Sequence, residues 1–186
     1  MELKKYITIF DNILPIDVLD KFTKVCQSFP YEEGRVGKGE IVKKLRDVGI
    51  CGLDPYSESM TRVHWFNIIK SMVGNIVNRY SQQHKVINIH TDGVESMQIL
   101  KYEKNNHYAW HYDHAPNTPR TLSLIYLIND DYEGGELCFR NPDGTGEFKI
   151  PKKKNRVIIW PSCFLYPHSV APIKNGERLS IVAWTT

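Results

Sequence analysis

Cysteine is scarce in this chain: four residues in 186, at positions 26, 51, 138 and 163. They are widely separated and show no paired zinc-type spacing, which excludes a zinc-ribbon framework and argues against a disulfide scaffold. Free, buried thiols in a reducing compartment are expected. No run is long or apolar enough to span a bilayer. The first residues, Met1 to Ile7, lack the apolar core of a signal peptide. The expectation is a cytoplasmic protein with no membrane partner. Charge of one sign is also short: 24 Lys and Arg against 21 Asp and Glu leave a net charge of +3. That is too little to read the whole chain as a nucleic-acid binder. The one basic run, Lys152-Lys153-Lys154-Asn155-Arg156, lies between Pro151 and an apolar strand and reads as a solvated turn. There is no internal repeat and no low-complexity segment.

What is present is an ordinary globular composition, 41% hydrophobic and 24% charged, at a length that suits one domain over residues 1–186. Residues 5–10 read as a short strand, with a turn at Asp11-Asn12. Pro15-Ile16-Asp17 opens a helix whose apolar positions Val18, Leu19, Phe22 and Val25 recur at helical spacing. Pro30 ends it. Residues 31–56 are rich in glycine and charge, with a short strand expected at Glu40 to Leu45. This part is either a flap or an irregular sheet edge. Ser57 or Ser59 caps a second helix. Its apolar stripe is Met60, Val63, Phe66, Ile69, Val73 and Ile76, widened by Trp65, Ile68 and Met72, and it runs to about Tyr80.

From residue 86 the period falls to two. Strands are expected at Val86 to Ile89, Ser96 to Tyr102, Ala109 to Asp113, Arg120 to Ile128, Glu136 to Arg140, Gly146 to Ile150, Arg156 to Trp160, Pro167 to Val170 and Arg178 to Trp184. Helices followed by eight or nine strands give an α+β, mainly β fold. Its core is a two-sheet β-barrel or jelly roll, with the N-terminal helices packed on one sheet. Residues 1–85 are the helical part with the segment 31–56, and 86–186 the strands.

The stretch that carries chemistry is His111-Tyr112-Asp113-His114. Side chains two apart on a strand share a face, so His111 and Asp113 point together and His114 away. One imidazole and one carboxylate are two of the three protein ligands in the facial triad of non-haem Fe(II) sites. His168, far downstream, is the candidate third; the alternative is a structural histidine beside Pro167. A second His-x-Asp, His90-Thr91-Asp92, is followed by Gly93 and reads as a polar turn. His64 reads as packing or surface, and His84 and His107 as loop residues. Gly134-Gly135 reads as a tight turn needing positive φ. Arg178 shares a strand face with Ser180, Val182 and Trp184, which looks inward. A lone cation inside a barrel is costly unless an anion meets it. The alternative is a surface pair with Glu177.

Residues 97–184 resemble the catalytic domain of 2-oxoglutarate- and Fe(II)-dependent dioxygenases of the prolyl 4-hydroxylase type. The matching pieces are Leu100-Lys101-Tyr102-Glu103, Tyr108 to Asp113, Arg120 to Leu127, Glu133 to Leu137, Pro167-His168-Ser169-Val170 and Glu177 to Ile181. The resemblance implies a double-stranded β-helix of cupin-like shape, with 86–186 as the catalytic core and 1–85 as a helical buttress with flap, and it implies His111, Asp113 and His168 as catalytic metal ligands. It implies Arg178 and Tyr102 as the residues that hold the distal carboxylate of 2-oxoglutarate. Tyr108, Arg120 and Trp184 match positions that contact a prolyl peptide, with ordinary barrel packing as the alternative for each. Leu127 departs from the pattern, since some relatives carry a tyrosine there that touches the co-substrate. The implied cofactors are Fe(II), 2-oxoglutarate and O2, with ascorbate as an accompanying reductant. The implied reaction hydroxylates a prolyl residue of a peptide or protein and releases succinate and CO2.

Three alternatives stay open on the residues. The same chemistry could act on a free amino acid or small metabolite. Nucleic-acid demethylating relatives typically carry a second arginine six residues after the first, where this chain has Trp184. A non-enzymatic metal-binding jelly roll would need neither the full ligand set nor Arg178.

Overall fold

The computed structural model describes residues 3–35, 39–85 and 93–186. The strand expected at 86–89 and the turn at 90–92 fall outside the described residues. A 3-10 turn (Leu3–Tyr6) leads into β1 (Thr8–Asp11) and α1 (Ile16–Ser28). Three short strands follow: β2 (Glu32–Glu33), β3 (Arg46–Asp47) and β4 (Gly49–Leu53). After α2 (Met60–Gln83) come β5 (Val94–Tyr102), β6 (His107–His111), β7 (Leu122–Leu127), β8 (Glu133–Gly134) and β9 (Leu137–Phe139). The chain closes with β10 (Phe148–Ile150), β11 (Arg156–Pro161), β12 (His168–Val170), β13 (Ile173–Asn175) and β14 (Arg178–Thr185).

The strands form a major sheet in the order β1-β11-β7-β14-β5-β4-β2 and a minor sheet in the order β10-β9-β12-β6-β3, with β13-β8 as a separate pair. Every pairing is antiparallel. This is the jelly-roll arrangement expected from the period-two pattern. β14 shows why the alternation matters. Its Leu179, Ile181 and Ala183 join the core under the helices, and its Val182 and Trp184 join the core between the two sheets. β7 is buried at every position because helices cover one face and the minor sheet the other. Its sequence is accordingly a near-continuous apolar run.

The helices sit where expected, with a shift of face. Ser59 caps α2 by accepting from the Arg62 backbone N–H, while Ser57 accepts from Ser59. The buried side of α2 is centred on Trp65, Ile69, Met72, Val73, Ile76, Val77 and Tyr80. Met60, placed in the stripe by periodicity, is 77% exposed. In the first turn of α2 Met60 faces solvent, while Arg62 lies over the Phe29 ring. The described residues of 31–56 form sheet edges. Residues 43–45 are a turn, not the expected strand, and the strands lie just after them at β3 and β4. Among the described residues, no helix is long and apolar enough to cross a membrane.

The basic run ties the two halves together. Asn155 takes the left-handed conformation at φ 65°. Its carboxamide oxygen accepts from the Ile13 and Leu14 N–H groups and the Tyr126 hydroxyl, and its nitrogen donates to the Leu14 carbonyl. Lys154 pairs with Asp20, and Lys153 and Arg156 both bond Asp11. Arg156, and after it Lys153, hold the Asp11 carboxyl down at about 2, against the opposing effect of partial burial. A carboxyl depressed in the folded state adds stability above its unfolded pKa and loses it as pH falls toward the folded one. Wild type is therefore expected to lose stability relative to Asp11→Asn between about pH 4 and pH 2. Urea titrations of both proteins across that range check it; a constant gap between them removes Asp11 from the acid response.

Candidate metal centre

β6 and β12 lie side by side in the minor sheet, and the register sets His168 directly opposite His111. The strand ends at His111, so Asp113 lies in the bend just beyond it rather than within a strand as expected. The bend still delivers its carboxylate to the same place. His111 Nε2 lies 3.7 Å from Asp113 Oδ1, and His168 Nε2 lies 3.4 Å from Asp113 Oδ2. The three ligand atoms all fall within 4.8 Å of one another. Two neutral nitrogens and one carboxylate at that spacing fit a first-row divalent metal and leave other positions open.

Each imidazole is oriented by its own strand. His111 Nδ1 donates to the Ala109 carbonyl at 2.8 Å, and His168 Nδ1 to the Tyr166 carbonyl at 3.1 Å. A proton on Nδ1 leaves the Nε2 lone pair facing the centre. Burial, and after it the neighbouring His168, push the His111 imidazole well below its ordinary pKa, so it stays neutral. Burial pushes the Asp113 carboxyl up, but His168, His111 and the Ser123 hydroxyl together hold it below the usual range. Ser123 Oγ donates to Asp113 Oδ2 at 2.6 Å and lies 2.8 Å from Ser162 Oγ. Sequence reading missed both serines, because Ser123 reaches Asp113 from β7 and Ser162 reaches Ser123 from just past β11. Trp160 stands edge-on to His168 at 4.9 Å and walls the site. Ser123→Ala should weaken iron binding by about 10- to 100-fold. Equilibrium competition with a chelator reads this directly; an unchanged affinity would leave the hydroxyl without that role.

Arg178 is fully buried, and its Nε, Nη1 and Nη2 have no hydrogen-bond partner among the described residues. Its guanidinium lies 5.0 Å from the Tyr102 ring, the residue opposite it across β5. The hydroxyls of Tyr102, Tyr132 and Ser180 are also buried and unpartnered. Tyr132 and Arg178 both close on Gly135, where an added Cβ would stand 3.1 Å from Tyr132 Cε2 and 3.2 Å from Arg178 Cδ. Tyr132 escaped sequence reading, and it adds a hydroxyl where Leu127 supplies none. A buried cation ringed by unmet hydroxyls fits one anion with several acceptor atoms. The distal carboxylate of 2-oxoglutarate is such a group. Glycine makes the room. Gly135 sits at φ 64°, and a Cβ there would run into Ile173 and stand 3.2 Å from Arg178 Cδ. The positive φ expected at Gly134-Gly135 thus clears space beside the cation as well as making a turn.

The remaining residues singled out from sequence also converge. Tyr108 stacks on His111 at 3.6 Å and 17°. Arg120 lies 3.7 Å over Trp184, but its guanidinium is already committed to Glu95 at 2.8 and 3.2 Å. Arg46, another residue missed from sequence, lies 4.8 Å over Tyr108. His114 turns away and faces the Arg120 carbonyl at 3.0 Å. His84 meets Thr8 and His107 meets backbone carbonyls, so neither approaches the centre.

A sequence model of the 2OG-Fe(II) oxygenase superfamily matches residues 97–186. A PKHD-type hydroxylase from Alteromonas mediterranea is 34% identical over 191 residues, covering 95% of this chain and 76% of that protein. A PKHD-type hydroxylase from Crocosphaera subtropica is 25% identical over 181 residues, covering 94% and 75%. In fold, the chain superposes on a Trichoplax adhaerens prolyl hydroxylase, solved with a hypoxia inducible factor peptide fragment, with a TM-score of 0.79. That match covers 97% of this chain and 83% of the other at 20% identity, and it speaks for the fold. Likeness along nearly the whole chain, over a face that already gathers two imidazoles, a carboxylate and a buried guanidinium, means that this protein belongs to the 2OG-Fe(II) oxygenase superfamily, among the PKHD-type hydroxylases.

Proposed function

We propose that this dioxygenase hydroxylates prolyl residues of a peptide or protein, with His111, Asp113 and His168 holding Fe(II) and Arg178, Tyr102 and Tyr132 holding 2-oxoglutarate. The observation that carries the reading is the juxtaposition of a three-ligand cluster with an unpartnered, fully buried guanidinium. The iron, when bound, supplies O2 activation: 2-oxoglutarate, O2 and a C–H bond become succinate, CO2 and a C–OH bond. The protein's part is to bind and orient. The Nδ1–H groups of His111 and His168 donate to the carbonyls behind them, so each ring offers its Nε2 to the metal. The Asp113 carboxylate is kept ionised and turned by Ser123. Arg178 and its hydroxyls anchor the distal end of the co-substrate, so its keto acid end is presented to the metal. Trp160 and Phe139 beside His168 exclude water.

Tyr108 and Trp184 are the proposed apolar grip on the proline ring. Arg120, held by Glu95, is the proposed contact for a peptide carbonyl. The prolyl choice is supported by the PKHD-type relatives and by this aromatic pair. Residues 1–85 and 86–186 are proposed as buttress and catalytic core of one domain. In support, Trp65, Ile69 and Val73 of α2 share one core with Ile99 of β5 and Leu124 of β7. A cytoplasmic setting is supported by four free thiols. Ascorbate as reductant rests on the family resemblance alone. The test is a peptide-library screen for a mass gain of one oxygen with Fe(II) and 2-oxoglutarate present. The expected result is oxygen gained on proline. Gain on another residue, or turnover only with free amino acids, would replace the prolyl assignment.

A further inference from the structure

We propose that a cavity of about 340 Å³ under the N-terminal turn is an effector site for a small apolar carboxylate, separate from the co-substrate pocket and felt at His168. β1 ends the major sheet and β10 ends the minor one, so strand pairing does not close the space between them. The 3-10 turn Leu3–Tyr6 lies across that opening. Leu3 and Ile7 pack onto the core between the sheets, and the Tyr166 hydroxyl donates to the Leu3 carbonyl at 3.3 Å. The cavity is the space left between this turn and Phe148 of β10. None of His111, Asp113, His168, Arg178, Tyr102 and Tyr132 lines it.

One wall is aromatic. Phe139 and Phe148 stack at 5.7 Å with their planes 19° apart, and both line the cavity. The charge on the rim has one sign: Lys4 and Arg140 line it, and among the described residues no carboxylate does. Lys4 Nζ lies 4.5 Å over the Phe148 ring, against the apolar wall. The Arg140 guanidinium lies 4.3 Å over Trp110, and its Nε is buried without a partner among the described residues. A buried donor on a cation is costly until an acceptor meets it. A ligand with a flat apolar body and one carboxylate satisfies both features. Its ring lies on the phenyl pair, and its carboxylate accepts from Arg140 and faces Lys4. Inorganic phosphate would meet the cations but leave the phenyl wall wet, and a neutral aromatic would leave Arg140 unmet. The volume is at the lower end of the roughly 300–1,000 Å³ of ligand sites, enough for one ring with a short acid arm. The site backs on a metal ligand. Phe139 pairs with His168 across β9 and β12, with its ring 5.8 Å from the imidazole. The Arg140 N–H donates to the Pro167 carbonyl at 3.2 Å, and the Tyr166 carbonyl accepts from His168 Nδ1. An occupant therefore braces the residues that orient His168, and by linkage it should tighten iron binding.

The probe is labelled phenylacetate, dialysed to equilibrium under nitrogen against the iron-loaded full chain with 2-oxoglutarate saturating. Binding should be saturable, and phenylacetamide and inorganic phosphate should each compete at least about tenfold less well. Arg140→Gln, which removes the charge and the buried donor, and Lys4→Glu, which reverses the charge at an exposed position, should each weaken it by about tenfold or more. Arg178→Met should bind phenylacetate as wild type does. Chelator competition, run with and without phenylacetate, should show iron held about fivefold or more tighter in its presence, and Arg140→Gln should lose that gain. No saturable binding, equal competition by phosphate or phenylacetamide, full binding in both cavity variants, or loss of binding in Arg178→Met overturns the site. An iron affinity that stays flat with the site filled overturns its effector role. Each of these outcomes leaves the prolyl reading standing, since none of them measures turnover.

Discussion

Arg178→Met should make the protein more stable in the absence of 2-oxoglutarate and much poorer at using it. The wild-type guanidinium is fully buried with three nitrogens unmet among the described residues, so it is held there at a cost. A side chain of similar volume without the charge removes that cost, and replacing buried ions by apolar residues has been worth about 1–4 kcal/mol. The same substitution deletes the charge-assisted bonds to the co-substrate, each worth about 1.5–3 kcal/mol. The 2-oxoglutarate requirement should therefore rise by at least about tenfold. Thermal melts separate the two effects. Saturating 2-oxoglutarate stabilises wild type by mass action, by about 2.7 kcal/mol at a hundredfold excess over Kd, and so raises its Tm. The variant should start higher and respond little. If the variant still responds as strongly as wild type, the co-substrate is anchored elsewhere.

His168→Ala should abolish Fe(II)-dependent turnover, with a loss of at least about 10³-fold, or about 4 kcal/mol of barrier. The loss follows from ligand count. Without His168 the metal is left with His111 and Asp113, which lie on one short segment and hold only one edge of the coordination sphere. The fold should survive, because the surrounding contacts from Trp160 and Phe139 are apolar and persist. His168→Gln keeps most of the volume and separates lost ligation from lost packing. Both variants should show weakened iron binding in titration and a near wild-type circular dichroism spectrum. Near wild-type turnover in either variant would remove His168 from the ligand set.

Much of the site was legible because strand geometry is local. A two-residue period is enough to place Arg178, Ser180, Val182 and Trp184 on one face, and the structure sends Leu179, Ile181 and Ala183 to the other. His111 and Asp113 come together even though Asp113 has left the strand, since one bend does not undo a two-residue offset. The misses have a common cause. Ser123, Tyr132, Glu95 and Arg46 act through neighbours 10, 46, 25 and 62 positions away, in the pairs Ser123–Asp113, Tyr132–Arg178, Glu95–Arg120 and Arg46–Tyr108. No periodicity reports such a contact. The misplaced strand near residue 40 and the shifted face of α2 belong here too, because what a short strand or a first helical turn does depends on what lies across from it.

The sequence by itself determined the candidate metal ligands, the alternation that turns a cation inward, and the order of helices before sheets. These follow from bond geometry and from the cost of wetting apolar surface, which act along the chain. Only the tertiary structure decided that His168 lies opposite His111, and that the inward cation is left without a partner among the described residues. Those outcomes depend on which strand pairs with which and in what register, and register is settled by burial summed over the whole core.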